Sequence, residues 1–208
     1  VGEWDEARDG AYNFVTNRAG VLRYWRERVL EVADDENIFT LGMRGIHDGE
    51  MAGAVTLDEQ TALTNEVIRA QRQMLSAELH RPVDGIPQTF VPYKEVLDIY
   101  DNGVELPEDV TLMWCDDNYG YITRLSNAAE QARSGGAGVY YHVSYYGKPH
   151  DYLWLATSQP ALMAAEMRRA WDCGARKIWI LNVGDLKPAE YHTELFLDMA
   201  WNADAVAP

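Results

Sequence analysis

Apolar and polar positions change period along this chain, and each period names an element. From Arg18 to Val32 apolar and basic residues recur at helical spacing, with Val21, Leu22, Trp25, Val29 and Leu30 sharing a side. Asn37 to Gly45 is a short β-rich run closed by glycine and reads as a buried strand. A polar loop through Val55 follows, holding His47 and Asp48. Thr56 with Glu59 beyond it forms a capping box. That signal predicts a helix to about Leu79, on which Leu63, Val67, Ala70, Met74 and Ala77 recur at i+3 and i+4.

The same unit then repeats in outline. Pro87 to Tyr93 is a strand candidate, and Lys94 to Asn102 a short helix closed by Gly103. Val110 to Cys115 reads as a strand that ends in Asp116-Asp117-Asn118-Tyr119-Gly120. A loop or short helix runs through Arg133 and is broken by Gly135-Gly136. Gly138 to Tyr145 is an aromatic strand, and a long loop leads from it to Pro160, placed for the first turn of a helix ending at Gly174. Lys177 to Val183 is a further strand, and Pro188 opens a last helix to about Trp201. Trp25, Trp171 and Trp201 lie on these helices and are expected in the core.

Strands and helix-length segments thus alternate from end to end, which predicts an α/β fold of parallel strands with crossover helices. Either an open doubly wound sheet or about five βα units of a (β/α)8 TIM-type barrel would satisfy the pattern. There is no internal repeat, low-complexity tract or linker, so residues 1–208 read as a single unit.

Composition narrows the function classes. The chain has 47% hydrophobic and 25% charged residues, the usage of a globular domain rather than a disordered one. No apolar run approaches the roughly 18 residues of a membrane-spanning helix, so a membrane is not an expected partner. The formal charge of −15 repels phosphate backbones and argues against nucleic acid. Cys115 and Cys173 sit inside apolar stretches, with neither a disulfide framework nor zinc spacing. The start at Val1, without initiator Met or signal peptide, reads as a mature product or an excised piece.

In α/β architectures the chemistry collects at the C-terminal ends of strands. Those positions hold Arg44, His47 and Asp48, then Tyr93, Lys94 and Glu95, then Asp116, Asp117, Asn118 and Tyr119, then His142 and Tyr145, and finally Asn182, Asp185 and Lys187. No G-x-G-x-x-G, phosphate-binding G-x-x-x-x-G-K-[ST] or nucleophile-bearing G-x-S-x-G occurs, and no metal-ligand spacing appears, so neither a cofactor nor a metal is expected. What remains is carboxylates among amides, tyrosines and cations, the lining of a sugar site. Tyr119, Tyr121, Tyr146 and Trp154 lie on loops and are candidates for stacking on sugar rings.

Each candidate also has a plainer reading. Consecutive residues at a strand end point in opposite directions, so at most one of Asp116 and Asp117 faces the site, and both could instead cap turns. Glu95 suits a helix N-terminus, His142 could be a core histidine bonded to a backbone carbonyl, and Asp185 or Glu190 could cap the last helix. Arg44 and Lys187 could clamp a carboxylate or merely neutralise neighbouring acids.

The strings Met113-Trp-Cys-Asp-Asp-Asn-Tyr-Gly120, Gly135-Gly-Ala-Gly-Val-Tyr-Tyr-His142 and Ile178-Trp-Ile-Leu-Asn-Val-Gly-Asp-Leu-Lys-Pro188 resemble glycoside hydrolase family 115. Leu41-Gly-Met-Arg-Gly45 and Tyr93-Lys-Glu-Val96 fit the same pattern in the same order, so the resemblance runs from about residue 16 to Trp201. It implies an α-glucuronidase that removes glucuronic acid, or its 4-O-methyl ether, α-1,2-linked to xylose in xylan side chains, with inversion. It implies a fragment of the central (β/α)8 barrel of a larger multidomain parent, with glucuronoxylan or its oligosaccharides as partner. The missing part of the barrel, or further copies of the chain, would cover its open edges.

Residue by residue, the resemblance puts a catalytic carboxylate in the Asp116–Asp117 string, with Glu95 or an acid outside the chain as its partner. Arg44, Lys94, His142, Asn182 and Lys187 match positions that would line a uronate pocket. The other strand-end groups, His47, Tyr93, Asn118, Tyr119 and Tyr145, are expected to bind substrate from their position alone. Ser144 departs from the pattern, since many relatives have Asp there. A polysaccharide substrate implies a secreted or periplasmic location. The alternative is a carbohydrate-binding or structural fragment without turnover.

Overall fold

The computed structural model describes residues 4–46, 49–147, 150–151 and 155–204. The chain divides into two compact units, Val1–Val110 and Thr111–Pro208. The boundary falls at the start of a strand rather than in a linker, so hydrophobicity and turn composition carry no sign of it.

The first unit opens with a single turn, α1 (Glu6–Asp9), which the sequence reading did not distinguish from the polar N-terminus. The helix α2 (Arg18–Glu31) buries Val21 and Val29. Leu22 and Trp25 pack partly buried against the core, whereas Leu30, expected on the same side, is exposed. Strand β1 (Phe39–Leu41) pairs in parallel with β2 (Gln88–Phe90), Thr40 lying opposite Thr89. Both strands are shorter than their apolar runs.

Between the two strands runs α3 (Leu57–Leu79), with both arms of the Thr56–Glu59 capping box formed. Leu63, Val67 and Ala70 of this helix join Tyr12, Phe14, Val21, Met43 and Met51 in one apolar cluster. Met74 and Ala77 fall outside that cluster, and Leu75 is the buried residue of the last turns. A short helix, α4 (Glu95–Asp101), follows β2 and stops before Gly103, whose φ of 110° suits only glycine well.

The second unit holds β3 (Thr111–Cys115), β4 (Ala137–His142) and β7 (Ala175–Asn182), all parallel, with β4 between the other two. Two antiparallel two-residue strands, β5 (Tyr146–Gly147) and β6 (His150–Asp151), interrupt the segment read as a long loop. The helix α5 (Ala128–Gln131) starts on an Asn127–Glu130 capping box. Pro160 occupies the first turn of α6 (Pro160–Asp172), as its fixed φ favours. The last helix is α7 (Glu190–Trp201).

Val139, Tyr141, Met163, Met167, Ala170, Ala175, Phe196 and Met199 form the buried interior of this unit. Trp201, expected in the core, is 92% exposed. Helical periodicity alone could not place it, because an amphipathic stripe does not say which of its last residues still has a partner. Trp171 is partly buried, its ring edge-on to Trp179 at 6.2 Å.

Both units are therefore built of parallel strands alternating with helices, the α/β class expected from the pattern. No helix among the described residues is long and apolar enough to cross a membrane.

Candidate functional site

In the first unit the groups at the ends of β1 and β2 form one charged cluster. Beyond β1 the chain turns at Gly42, with φ 106°. The buried Gln71 of α3 holds both sides of that residue: its amide donates to the Gly42 carbonyl at 2.9 Å, and its oxygen accepts the Gly42 N–H at 2.8 Å. The pinned turn delivers Arg44 to Glu95, the first residue of α4. Nε donates to Oε1 at 2.8 Å and Nη2 to Oε2 at 3.0 Å, a two-point contact that fixes both planes. Tyr93 lies beneath this pair, its ring centre 5.7 Å from the Arg44 guanidinium and 5.1 Å from Lys94 Nζ. Lys94 adopts a left-handed φ of 52° and is exposed. His47 and Asp48 lie outside the described residues.

A cavity of about 750 Å³ lies elsewhere in this unit. It is lined by Asp34, Glu36, Ile38, His80 and Pro87, at the N-terminal ends of β1 and β2. Strand geometry places chemistry at the opposite ends, so the cavity carries no weight as a site.

In the second unit the ends of β3, β4 and β7 bring together Asp116, His142, Tyr140, Tyr145 and Asn182. The carboxylate of Asp116 has no exposed surface. Its Oδ1 accepts the His142 backbone N–H at 2.9 Å and lies 2.7 Å from His142 Nδ1. Its Oδ2 accepts the Asn118 N–H at 3.0 Å. The imidazole lies 5.1 Å from the Tyr140 ring and 5.5 Å, edge-on, from that of Tyr145. Asn182, opposite His142 in the register of β4 with β7, donates to the Tyr140 hydroxyl at 2.8 Å. Ser158 donates to the His142 carbonyl at 3.1 Å and so draws the loop before α6 to the end of β4. Ser144 is buried.

Asp117 points the other way, as alternation requires. It is exposed, and its Oδ1 accepts the N–H groups of Tyr119 at 2.9 Å and Tyr121 at 3.1 Å, so it caps the loop that follows β3. That loop carries Asn118 at φ 68° and leaves both tyrosines about half exposed, 51% and 54%. It closes on Gly120, where an added Cβ would stand 2.9 Å from the Tyr141 hydroxyl.

Burial, and after it the Asp116 charge, push the Tyr141 phenol and the Cys115 thiol above their usual ranges. Lys187 is 93% exposed and pairs with Glu190, at 3.2 Å. Asp185 is exposed, and the first turn of α7 has no side-chain cap, so Asp185 does not cap that helix. Trp154 and the Tyr146 side chain lie outside the described residues.

The sequence reading passed over Tyr140 and Gln71. Tyr140 lies two positions from His142 on the same strand, so period-two alternation would have put it on the same face. Nothing in the helical pattern of α3 marks Gln71 as different from a solvent-facing glutamine.

Comparison with known proteins adds an independent line. The family model for Glycosyl hydrolase family 115 matches residues 1–208. A solved structure, a family 115 4-O-methyl-α-glucuronidase with specificity for decorated arabinogalactans, is 56% identical to this chain, with a TM-score of 0.92. The match covers 97% of this chain and 27% of that one. No curated protein matches the chain.

Proposed function

The chain belongs to glycosyl hydrolase family 115, and from that premise we propose that it carries part of the catalytic (β/α)8 barrel of an α-glucuronidase. The substrate is (4-O-methyl-)glucuronic acid, α-1,2-linked in the side chains of xylan, released with inversion. The observation that carries the reading is the 56% identity, over nearly the whole chain, to a 4-O-methyl-α-glucuronidase. That relative acts on decorated arabinogalactans, so the backbone bearing the uronate is the first thing to test. A polymeric substrate places the enzyme outside the cytoplasm or in a periplasm.

Glu95 and Asp117 are two carboxylates that solvent reaches near strand ends. Glu95 is half-buried and held from two sides by Arg44, the geometry of a group that must keep a fixed position against a sugar. In the first unit Tyr93 and Lys94 stand beside Glu95, and in the second Asn182 ends β7 while Tyr119 and Tyr121 offer exposed ring faces for stacking.

The test is release of 4-O-methylglucuronate by the full-length parent from glucuronoxylan oligosaccharides and from decorated arabinogalactan in parallel, with the anomer read by NMR. Acid–base catalysis contributes roughly 10²–10⁴-fold, so Glu95→Gln should lower kcat by that order while leaving KM within a few-fold. Asp117→Asn discriminates a catalytic carboxylate from a loop cap. A loss below about tenfold assigns it to the loop, and a loss of the acid–base order makes it a catalytic carboxylate. Absence of uronate release from both polymers would leave a carbohydrate-binding or structural module.

A further inference from the structure

We propose that Asp116 is a positioning residue that acts through His142, setting the imidazole tautomer and aim. The arrangement stands on distances and not on the glucuronidase reading of the strand ends. Asp116 has no exposed surface, and both oxygens are occupied by donors: two from His142 and one from Asn118. A side chain so enclosed cannot reach a glycosidic oxygen or an attacking water.

What it can do is define three neighbours at once. It ties the last residue of β4 to the end of β3 through the His142 backbone. It starts the 117–121 loop through the Asn118 N–H. It also fixes the ring, because a carboxylate brings no hydrogen to the 2.7 Å contact, so the hydrogen belongs to Nδ1. In the neutral ring Nε2 is then the acceptor nitrogen. Tyr140 and Tyr145 confine the plane of the ring, and Asn182 in turn holds the Tyr140 hydroxyl. The imidazole is thereby held in one tautomer and one orientation at the end of β4. The arrangement follows the logic by which a buried carboxylate sets the tautomer of a working histidine.

If Asp116 only fastened the loop, the tautomer of His142 would be indifferent to it. Long-range ¹H–¹⁵N correlation spectra of the labelled chain, with His142 identified by its loss in His142→Gln, read the tautomer directly. The expected result is the Nδ1–H form at mildly alkaline pH in the parent chain. In Asp116→Ala the Nδ1 hydrogen loses its acceptor, so the population should shift toward the Nε2–H form that a free neutral imidazole favours.

A parent chain with His142 in the Nε2–H form, or an unchanged His142 signature in Asp116→Ala, would overturn the proposal. The parent spectrum decides the tautomer even where the variant does not fold. Because the spectrum involves no turnover, a failed release assay beside an Nδ1–H spectrum would remove the glucuronidase reading and leave the positioning role standing.

Discussion

Cys115 immediately precedes Asp116, and that placement makes its thiol hard to ionise. Burial is the larger cause and the Asp116 charge the second. Since the thiolate is the reactive form, alkylation of the native chain near pH 8 should modify Cys115 at least about tenfold more slowly than in denaturant. Peptide mass spectrometry after timed quenching would read the rate, and fast native modification would contradict the placement. Tyr141 is shifted in the same direction. With folded values above unfolded ones, the stability these two groups contribute is complete below the unfolded pKa values. It is lost as pH rises beyond roughly 9–10, so urea midpoints should fall there. At this scale the sequence was legible in kind but not in role. Alternation correctly separated Asp116 from Asp117, yet it could not say that the inward one would meet a histidine. That encounter depends on the register of β3 with β4, in which Cys115 lies opposite Tyr140, and register is a property of two strands rather than of one.

Elements were most legible where a local device sets their ends. The Thr56–Glu59 box is formed as read: Glu59 N–H donates to Thr56 Oγ1, and the backbone N–H groups of Val55 and Thr56 donate to the Glu59 carboxylate at 3.0 Å. Those backbone donors hold the Glu59 carboxyl below its usual range. Thr56→Ala should cost about 1 kcal/mol in chemical denaturation, and a loss near zero would mean that α3 is held by packing alone. Less legible was β4, where the glycine-rich entry read only as a breaker of the preceding segment. The pairing of β4 with β7 shifts register between Ala137 and Val139, and Gly138 sits at that shift. A Cβ there would stand 2.1 Å from the Ile178 carbonyl oxygen and 2.8 Å from Met113 Sδ. Gly138→Ala should therefore destabilise by about 1–3 kcal/mol, the range for overpacking a tight interior, as read from urea midpoints. The α1 turn and the β5–β6 pair were missed because each is too short to establish a period.

For the whole molecule, two opposed surface properties govern how isolated copies meet. A formal charge of −15 keeps them apart at long range. Against this, α7 presents Leu197 and Trp201, one helical turn apart, at 58% and 92% exposure, with Tyr191 and Leu186 also exposed nearby in sequence. The buried side of the same helix is Phe196 and Met199, so apolar residues occupy more of its circumference than its own unit covers. Adding salt shortens the Debye length from about 30 Å to about 3 Å, which removes the repulsion and leaves the apolar contact. Self-association of the isolated chain should therefore strengthen with ionic strength, the reverse of an ion-pair interface. Sedimentation velocity at low and high salt would show it. Replacing Leu197 and Trp201 by Gln preserves the net charge and should abolish the salt-induced species. If the doubly substituted chain associates as strongly as its parent, the contact lies elsewhere on the surface, and the α7 face is not what joins the copies.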